Sequence, residues 1–428
     1  MPTHITCHWI PADGSGLPRR EKAGGTYRAY VPDLLSTTPL HIDPEIAKRA
    51  AHVEQAISTL STHEDMTALG NISRLLLRSE ALSSSRIEGI APRVDKVVLA
   101  ELAQQEEIRG FNEDAEAVAR NVHVLHGIEA HFRSEETISI QLLEKFQREL
   151  LGKTSIPTGI RTLQNWIGGN SYTPIGAEFI PAPPNYVPEL MEDLCEYLNG
   201  AAHGALIQAA LTHAQFETIH PFADGNGRVG RALIHGVLLR RNLIQRTILP
   251  ISLILGTWSQ LYIEGLTAFR KGDIHTWLNI FLDATEQAIQ QAQIIANQLR
   301  DIQQQWHDAL TIARTAQGKT RALRTDSIEA QLLQGLAGHP IVTTTSVQRI
   351  YGISTANARK ALDSLENAGI LRTKIIGKHG LQGYFSDDIL SLIPHADRRL
   401  ASSQFDTRLA APQRRAVPDG IQTKRTKD

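Results

Sequence analysis

Cysteine is all but missing. The 428 residues hold two, Cys7 and Cys195, far apart and in no metal-ligand spacing, so neither a disulfide framework nor a zinc site is expected and a reducing compartment fits. Net charge is close to nil, at −1, which removes any global attraction to nucleic acid or membrane and leaves only local patches. No run approaches the ~18 apolar residues of a membrane helix, and the first residues carry no apolar h-region. A soluble, cytoplasmic protein with no membrane partner is expected. Aromatics are sparse at 5%, but 42% hydrophobic and 21% charged residues suffice for a real core divided into two or three domains.

What is present is concentrated in one stretch, His220-Pro221-Phe222-Ala223-Asp224-Gly225-Asn226-Gly227-Arg228-Val229-Gly230-Arg231. Leu206, Ala210, Leu211 and Ala214 recur at helical spacing before it, and Val229, Leu233 and Val237 after it. Pro221 and the glycines break the pattern between them, so the stretch reads as helix, tight loop, helix. Gly225 to Arg228 open the second helix, where free N–H groups and the positive dipole end favour an anion. Arg228 and Arg231 share a face, Asp224 can hold a hard cation, and His220 can move a proton near neutral pH. Each residue alone also suits an ordinary interhelical loop with an N-cap aspartate and a solvated arginine pair. The glycine pattern matches neither a P-loop nor a dinucleotide fingerprint.

His-x-Phe-x-Asp-Gly-Asn-Gly-Arg-x-x-Arg resembles, without a departure, the active-site loop of Fic-domain proteins. The resemblance implies a mainly α fold, a helical-bundle core with a short β-hairpin flap, and transfer of AMP from ATP to a Ser, Thr or Tyr hydroxyl of a target protein or of the chain itself. It implies His220 as general base, and Gly225, Asn226, Gly227, Arg228 and Arg231 on the nucleotide, the Asn226 side chain adding a donor. Asp224 would hold Mg²⁺, and Phe222 would point into the core. Glycine at 227, where the family's kinase-like branch has lysine, implies the AMP-transfer orientation. Tyr262 lies where family tyrosines approach the adenine ring, although the aromatics around it suit a core. Upstream, Ser84-Ser85-Arg86-Ile87-Glu88-Gly89 is similar to the family's inhibitory-helix motif. Ser84 and Glu88 share a helical face, and Glu88 would pair with Arg231 in an intramolecular autoinhibition, with Gly89 ending the helix.

Along the chain, residues 1–130 form an N-terminal region with one extended candidate, Thr26 to Val31. A helix is capped by Asp43-Pro44-Glu45, and an inhibitory helix spans about 68–89, striped by Leu69, Ile72, Leu75 and Leu76. Ser85-x-x-Glu88 also reads as a capping box that would start a helix, but Gly89 and Pro92 are stop signals. Residues 131–285 are expected to be the Fic catalytic domain. Within it, Asn112 to Phe132 (entering from upstream), Ile138 to Leu151, Pro188 to Asn199, His203 to Ile219, Val229 to Arg241 and Ser259 to Ala284 are helices. Two short extended pieces between Gly159 and Pro184 include Ala177, Glu178, Phe179, Ile180 and Pro181, a flap that would dock the target by main-chain pairing.

A connecting helix fills 286–324. Residues 325–395 resemble a winged helix-turn-helix with a two-stranded wing, and 396–428 read as a mobile basic tail. Contact through Thr355, Asn357, Arg359 and Lys360 with DNA and contact with a protein stay open as alternatives. So do a homodimer, a transcriptional regulator with a secondary Fic activity, removal of AMP from a target, and a different nucleotide or phosphocholine donor.

Overall fold

The computed structural model describes residues 2–10, 24–62, 66–133, 137–170, 172–245, 248–319, 321, 323–377 and 380–404. Two antiparallel strands come first, β1 (Thr3–Trp9) and β2 (Gly25–Val31), paired from Thr3↔Val31 to Trp9↔Gly25. The second is the expected extended piece; the first has no equivalent in the sequence reading. Helices α1 (Pro44–Thr62) and α2 (Met66–Ile87) follow. Asp43 heads α1, its Oδ1 accepting from the Glu45 amide at 2.8 Å. Gly89, at φ 80°, ends the turn after α2, as its position behind a periodic run requires. The capping-box alternative fails because Ser85 lies inside α2, where its Oγ accepts from Asn121.

The sequence reading also lacked α3 (Val94–Ala103), a short helix with no side-chain cap. Then come α4 (Glu113–Arg133), α5 (Ile140–Leu151) and α6 (Val187–Asn199), close to their expected limits. Between α5 and α6 the two expected extended pieces form no ladder. Isolated bridges Ile160↔Phe222 and Ile167↔Phe179 hold the segment, with Gly168 and Gly169 both at φ 74° between them.

Helices α7 (Ala205–Ile219) and α8 (Asn226–Arg240) form the centre. Every residue of α7 is buried, as is α8 from Asn226 to Leu239. A helix apolar or internally paired all round can only be a core helix, and the loop joining these two is the His220–Arg231 stretch. Around them α4 covers α8, and α2 lies on α4, α8 and α9 (Ile251–Thr257).

The helix expected over 259–284 is two helices. Gly272, at φ 87°, breaks it into α10 (Ser259–Arg270) and α11 (Ile274–Ala316), and Asp273 caps the second through the Thr276 amide at 3.1 Å. The polar connecting segment is therefore no separate element. It continues α11, whose 43 residues extend about 65 Å and carry the core into the C-terminal module.

That module contains α12 (Ile328–Gly335), β3 (Ile341–Val342), α13 (Thr344–Tyr351), α14 (Thr355–Asn367), β4 (Arg372–Ile375), β5 (Gln382–Phe385) and α15 (Asp387–Gln404). The strands order β3-β5-β4, one more than the expected pair. The tail expected from 396 begins inside α15, where Ala396 and Leu400 are buried; 405–428 and the loop residues Lys378 and His379 lie outside the described residues. No helix among the described residues is long and apolar enough to cross a membrane.

Candidate active site

His220 ends α7 in the left-handed region, φ 51°, ψ 60°, which non-glycine residues seldom occupy. Its carbonyl accepts from Arg161 Nε at 2.8 Å and Asn165 Nδ2 at 3.2 Å. Burial, and then the Arg270 and Arg161 guanidiniums, push its imidazole down to about 4, so at neutral pH it is uncharged and able to accept a proton. Nδ1 lies 3.9 Å from Glu217 Oε2. Glu217, one turn earlier on α7, is pushed up to about 7 by burial above all, with Glu88 adding to the effect and Arg231 and Arg270 opposing it.

After His220 the chain closes on itself. Phe222 is fully buried against Phe216, ring centroids 5.8 Å apart. Its N–H donates to Asn226 Oδ1 at 2.8 Å, and Asn226 Nδ2 returns to its carbonyl at 2.9 Å. The Asn226 side chain thus ties the loop together through its Oδ1 and one of its two Nδ2 hydrogens. Its backbone amide stays at the helix start. Gly225, at φ 87°, heads α8 without any side-chain cap, so the first amides of α8 point outward uncapped. Arg228 is buried there with its Nε lacking a partner and Nη2 3.5 Å from Asp224 Oδ2. Asp224 is half-exposed beside it, Oδ1 accepting from the Gly225 amide at 2.6 Å.

Arg231, three residues on, is fully enclosed and fully used. Nε donates to Ser84 Oγ at 3.0 Å, and Nη2 to the Ser84 carbonyl at 2.7 Å and to Glu88 Oε1 at 2.8 Å. Burial works against its charge, but Tyr262, Glu88 and Glu217 more than offset this and hold the guanidinium above its ordinary range. Burial opposes the Glu88 charge too; Arg231, Arg228 and His220 overcome it and hold the carboxyl below the ordinary range. Gly227 makes room for this pair: a Cβ there would overlap Glu88 Oε1 and come within 2.8 Å of Arg231 Nη1.

Tyr262 does not stand free for a base. Its hydroxyl meets His213 Nε2 at 2.8 Å, its ring stacks on His213 at 5.8 Å and leans on Trp277 at 6.2 Å. It buttresses Arg231 from the core side.

The residues expected to form the flap are joined to the His220 loop through Arg161, which donates to the His220 and Ala182 carbonyls. Ile167 N–H donates to the Phe179 carbonyl at 2.8 Å, Glu178 and Phe179 amides return to Ile167, and the Ala177 amide turns back to Pro174. Gln164 Nε2 takes the Pro181 carbonyl at 2.9 Å. Ile180 offers its carbonyl to the chain's own β2, accepting from the Tyr30 amide at 2.9 Å. Arg270 sits 3.8 Å over the Phe179 ring, bringing α10 to the flap.

Residues 137–238 match the family model described as Fic/DOC family. That segment runs from the start of α5 through α8 and contains the whole loop. A probable protein adenylyltransferase of Aquifex aeolicus is 30% identical over 170 residues, 40% of this chain and 50% of the relative. The protein adenylyltransferase fic-1 of Caenorhabditis elegans is 28% identical over 163 residues, 37% of this chain and 29% of that protein. The chain thus spans half the length of the first and less than a third of the second. A Fic family protein from Desulfovibrio desulfuricans superposes with TM-score 0.50 at 19% identity over 82% of this chain and 98% of that one. The mainly helical Fic-type fold is therefore shared.

The structure brings together His220, Asp224, Gly225 to Arg228, Arg231, Ser84 and Glu88, and ties the 177–181 segment to their loop through Gln164 and Asn165. Sequence reasoning missed Glu217, His213, Arg161 and Arg270. Glu217 had a readable signal, the one acid of α7, three residues before His220. The other three are assembled only by packing.

Proposed function

We propose that the protein is an autoinhibited protein adenylyltransferase, taking ATP and a target protein with a Ser, Thr or Tyr hydroxyl. The observation that carries this is Arg228: a buried guanidinium with an unpartnered Nε, at the uncapped start of α8 and beside the left-handed His220. A buried unpaired donor next to free helix amides calls for an anion. The family match over the same residues and the adenylyltransferase relatives support triphosphate as that anion.

The Gly225, Asn226 and Gly227 region would hold the α- and β-phosphates through backbone amides, with Arg228 on the β-phosphate and Arg231 on the γ-phosphate. Neutral His220 takes the proton of the target hydroxyl, whose oxygen attacks the α-phosphorus in line; the P–O bond to the β-phosphate breaks and pyrophosphate leaves. Arg161 and Asn165 hold the His220 carbonyl and so the direction of the ring. Mg²⁺ suits the donor set. Among the described residues no three carboxylate, imidazole or thiolate groups converge on a metal, and the half-exposed Asp224 is the single carboxylate expected of an ion that takes its other ligands from phosphates and water. When bound there it would offset phosphate charge and polarise the leaving group.

Glu88 supports the regulatory half of the reading. While it holds Arg231, the guanidinium faces Ser84 and Glu88 rather than a γ-phosphate, so ATP cannot adopt the in-line pose. Residues 328–404 form the module we read as a winged helix, with Thr355, Asn357, Arg359 and Lys360 all exposed on it. The test is AMP transfer from labelled ATP by wild type, Glu88→Gly and Glu88→Gly/His220→Ala. Incorporation is expected in the single variant and not in the double. No incorporation by Glu88→Gly, or equal incorporation by both, would overturn the proposal.

A further inference from the structure

The latch helix α2 has a second charged environment, ten residues before Glu88 and on the side facing the C-terminal module. A cavity of about 300 Å³ opens between α2, α3, α4 and the β3–α13 region. Three arginines line it, Arg74 and Arg78 from α2 and Arg349 from α13, against one lining carboxylate, Glu101.

Arg78 is the buried one of the three. It is 4% exposed, and its Nε and Nη2 meet Glu101 at 2.8 and 2.9 Å, with Nη2 also donating to the Gly338 carbonyl at 3.2 Å. Its Nη1 is buried with no partner. An unmet donor on a buried guanidinium is costly, and an anion would satisfy it. Arg349 Nη1 is only loosely held, 3.6 Å from Glu106 Oε1, and Arg74 touches the ring of His339. His339 reports the local field: burial first, then Arg74, Arg78 and Arg349, push it down to about 4. The rest of the lining is mixed, with Leu77, Val98, Val122 and Ile341 providing apolar walls. Arg74 is exposed, so the site has a mouth.

We propose that this cavity binds a small organic phosphate monoester, its phosphate held by Arg74, Arg78 and Arg349 and its body by the apolar walls. Guanidinium forks match phosphate oxygens two at a time, and Glu101 on Arg78 with Glu106 loosely on Arg349 leave the three arginines with one positive charge in excess. Ligand and protein together then tie α2 to the C-terminal module. Arg78 lies on α2 and Glu88 immediately follows its last residue, about 15 Å away, so an occupied cavity holds the helix that leads into the latch. The binding site stands independently of AMP transfer; its effect on the latch rests on the role of Glu88 proposed above.

The test is calorimetric titration of the full chain with inorganic phosphate and with phenyl phosphate, alongside hydrogen exchange of α2. Phenyl phosphate is expected to bind more tightly than phosphate. Its dissociation constant should rise by about tenfold or more in Arg74→Ala/Arg349→Ala, on the scale of one lost charged contact, and stay unchanged in Arg228→Ala, which separates the cavity from the nucleotide loop. Arg74→Ala alone, at an exposed position, serves if the double variant does not fold. Bound phenyl phosphate should slow exchange of the amides from Leu76 to Ile87. The proposal is overturned by absence of binding to wild type, by equal affinity in the cavity variants, by loss confined to Arg228→Ala, or by unchanged α2 exchange on saturation. None of these readouts uses ATP, so failure of the transferase reading would be seen separately.

Discussion

Arg231 Nη2 and Glu88 Oε1 meet at 2.8 Å, joining the second turn of α8 to the residue just beyond α2. Both groups are held in their charged forms against burial. Ser84 completes the set with its hydroxyl and carbonyl, so one turn of α2 satisfies a guanidinium that would otherwise face the nucleotide loop. Glu88→Gly should raise AMP incorporation by about tenfold or more, equivalent to roughly 1.4 kcal/mol, and Glu88→Gln should fall between. Initial rates with labelled ATP decide it. A Glu88→Gly rate equal to wild type would remove the latch.

Gly227 and Glu88 occupy adjoining space. Gly227→Ala should destabilise the wild-type protein by about 1–3 kcal/mol, the usual cost of overpacking. In a Glu88→Gly background most of that cost should vanish, because the atom the new Cβ overlaps is gone. A double-mutant cycle by denaturant unfolding reads the coupling, and additive effects would contradict the packing described.

Glu217 predicts a pH dependence of stability. Its folded value, about 7, lies above the ordinary 4.5. A carboxyl shifted up holds its proton more tightly in the folded state, so its contribution is present below the unfolded value and lost as pH rises through the folded one. Relative to Glu217→Gln, wild type should lose about 3 kcal/mol between pH 4.5 and 8. His220 and His213, pushed down to about 4 and about 3, act in the opposite direction, losing stability as pH falls from 6.5 toward those values. The comparison with Glu217→Gln cancels them. Unfolding at pH 5 and pH 8 is the measurement; a difference independent of pH would place Glu217 in water.

Asn226 should matter to the fold more than to the ligand. Both polar atoms of its side chain bond Phe222, and Asn226→Ala should cost about 1–3 kcal/mol through the unmet backbone groups. ATP affinity measured in the Glu88→Gly background, at a temperature where Asn226→Ala stays folded, should change by less than about threefold, or roughly 0.6 kcal/mol. A large loss of affinity with normal stability would instead assign its side chain a direct role in binding ATP.

Local chemistry determined much of this protein in advance. Asp43-Pro44, Gly89 and the Ser84–Glu88 spacing act over one turn of chain, and the run from His220 to Arg231 carries its own loop, helix start and base. Such features depend on near neighbours and can be read without a fold. The break at Gly272 was legible too, but apolar periodicity continues through it, and Trp277 and Phe281 are buried either way. Periodicity cannot show where a helix turns. What the tertiary structure alone decided is who meets whom. Glu88 reaches Arg231 across 143 positions of sequence, Tyr262 is turned inward by His213 and Trp277, and burial, helped by Arg270 and Arg161, sets the charge state of His220. Ile180, expected to await a target, is paired with Tyr30 of the chain's own second strand. Those outcomes come from burial and long-range packing, which give a side chain its partners and its proton affinity, and neither quantity is a property of the residue's own stretch of sequence.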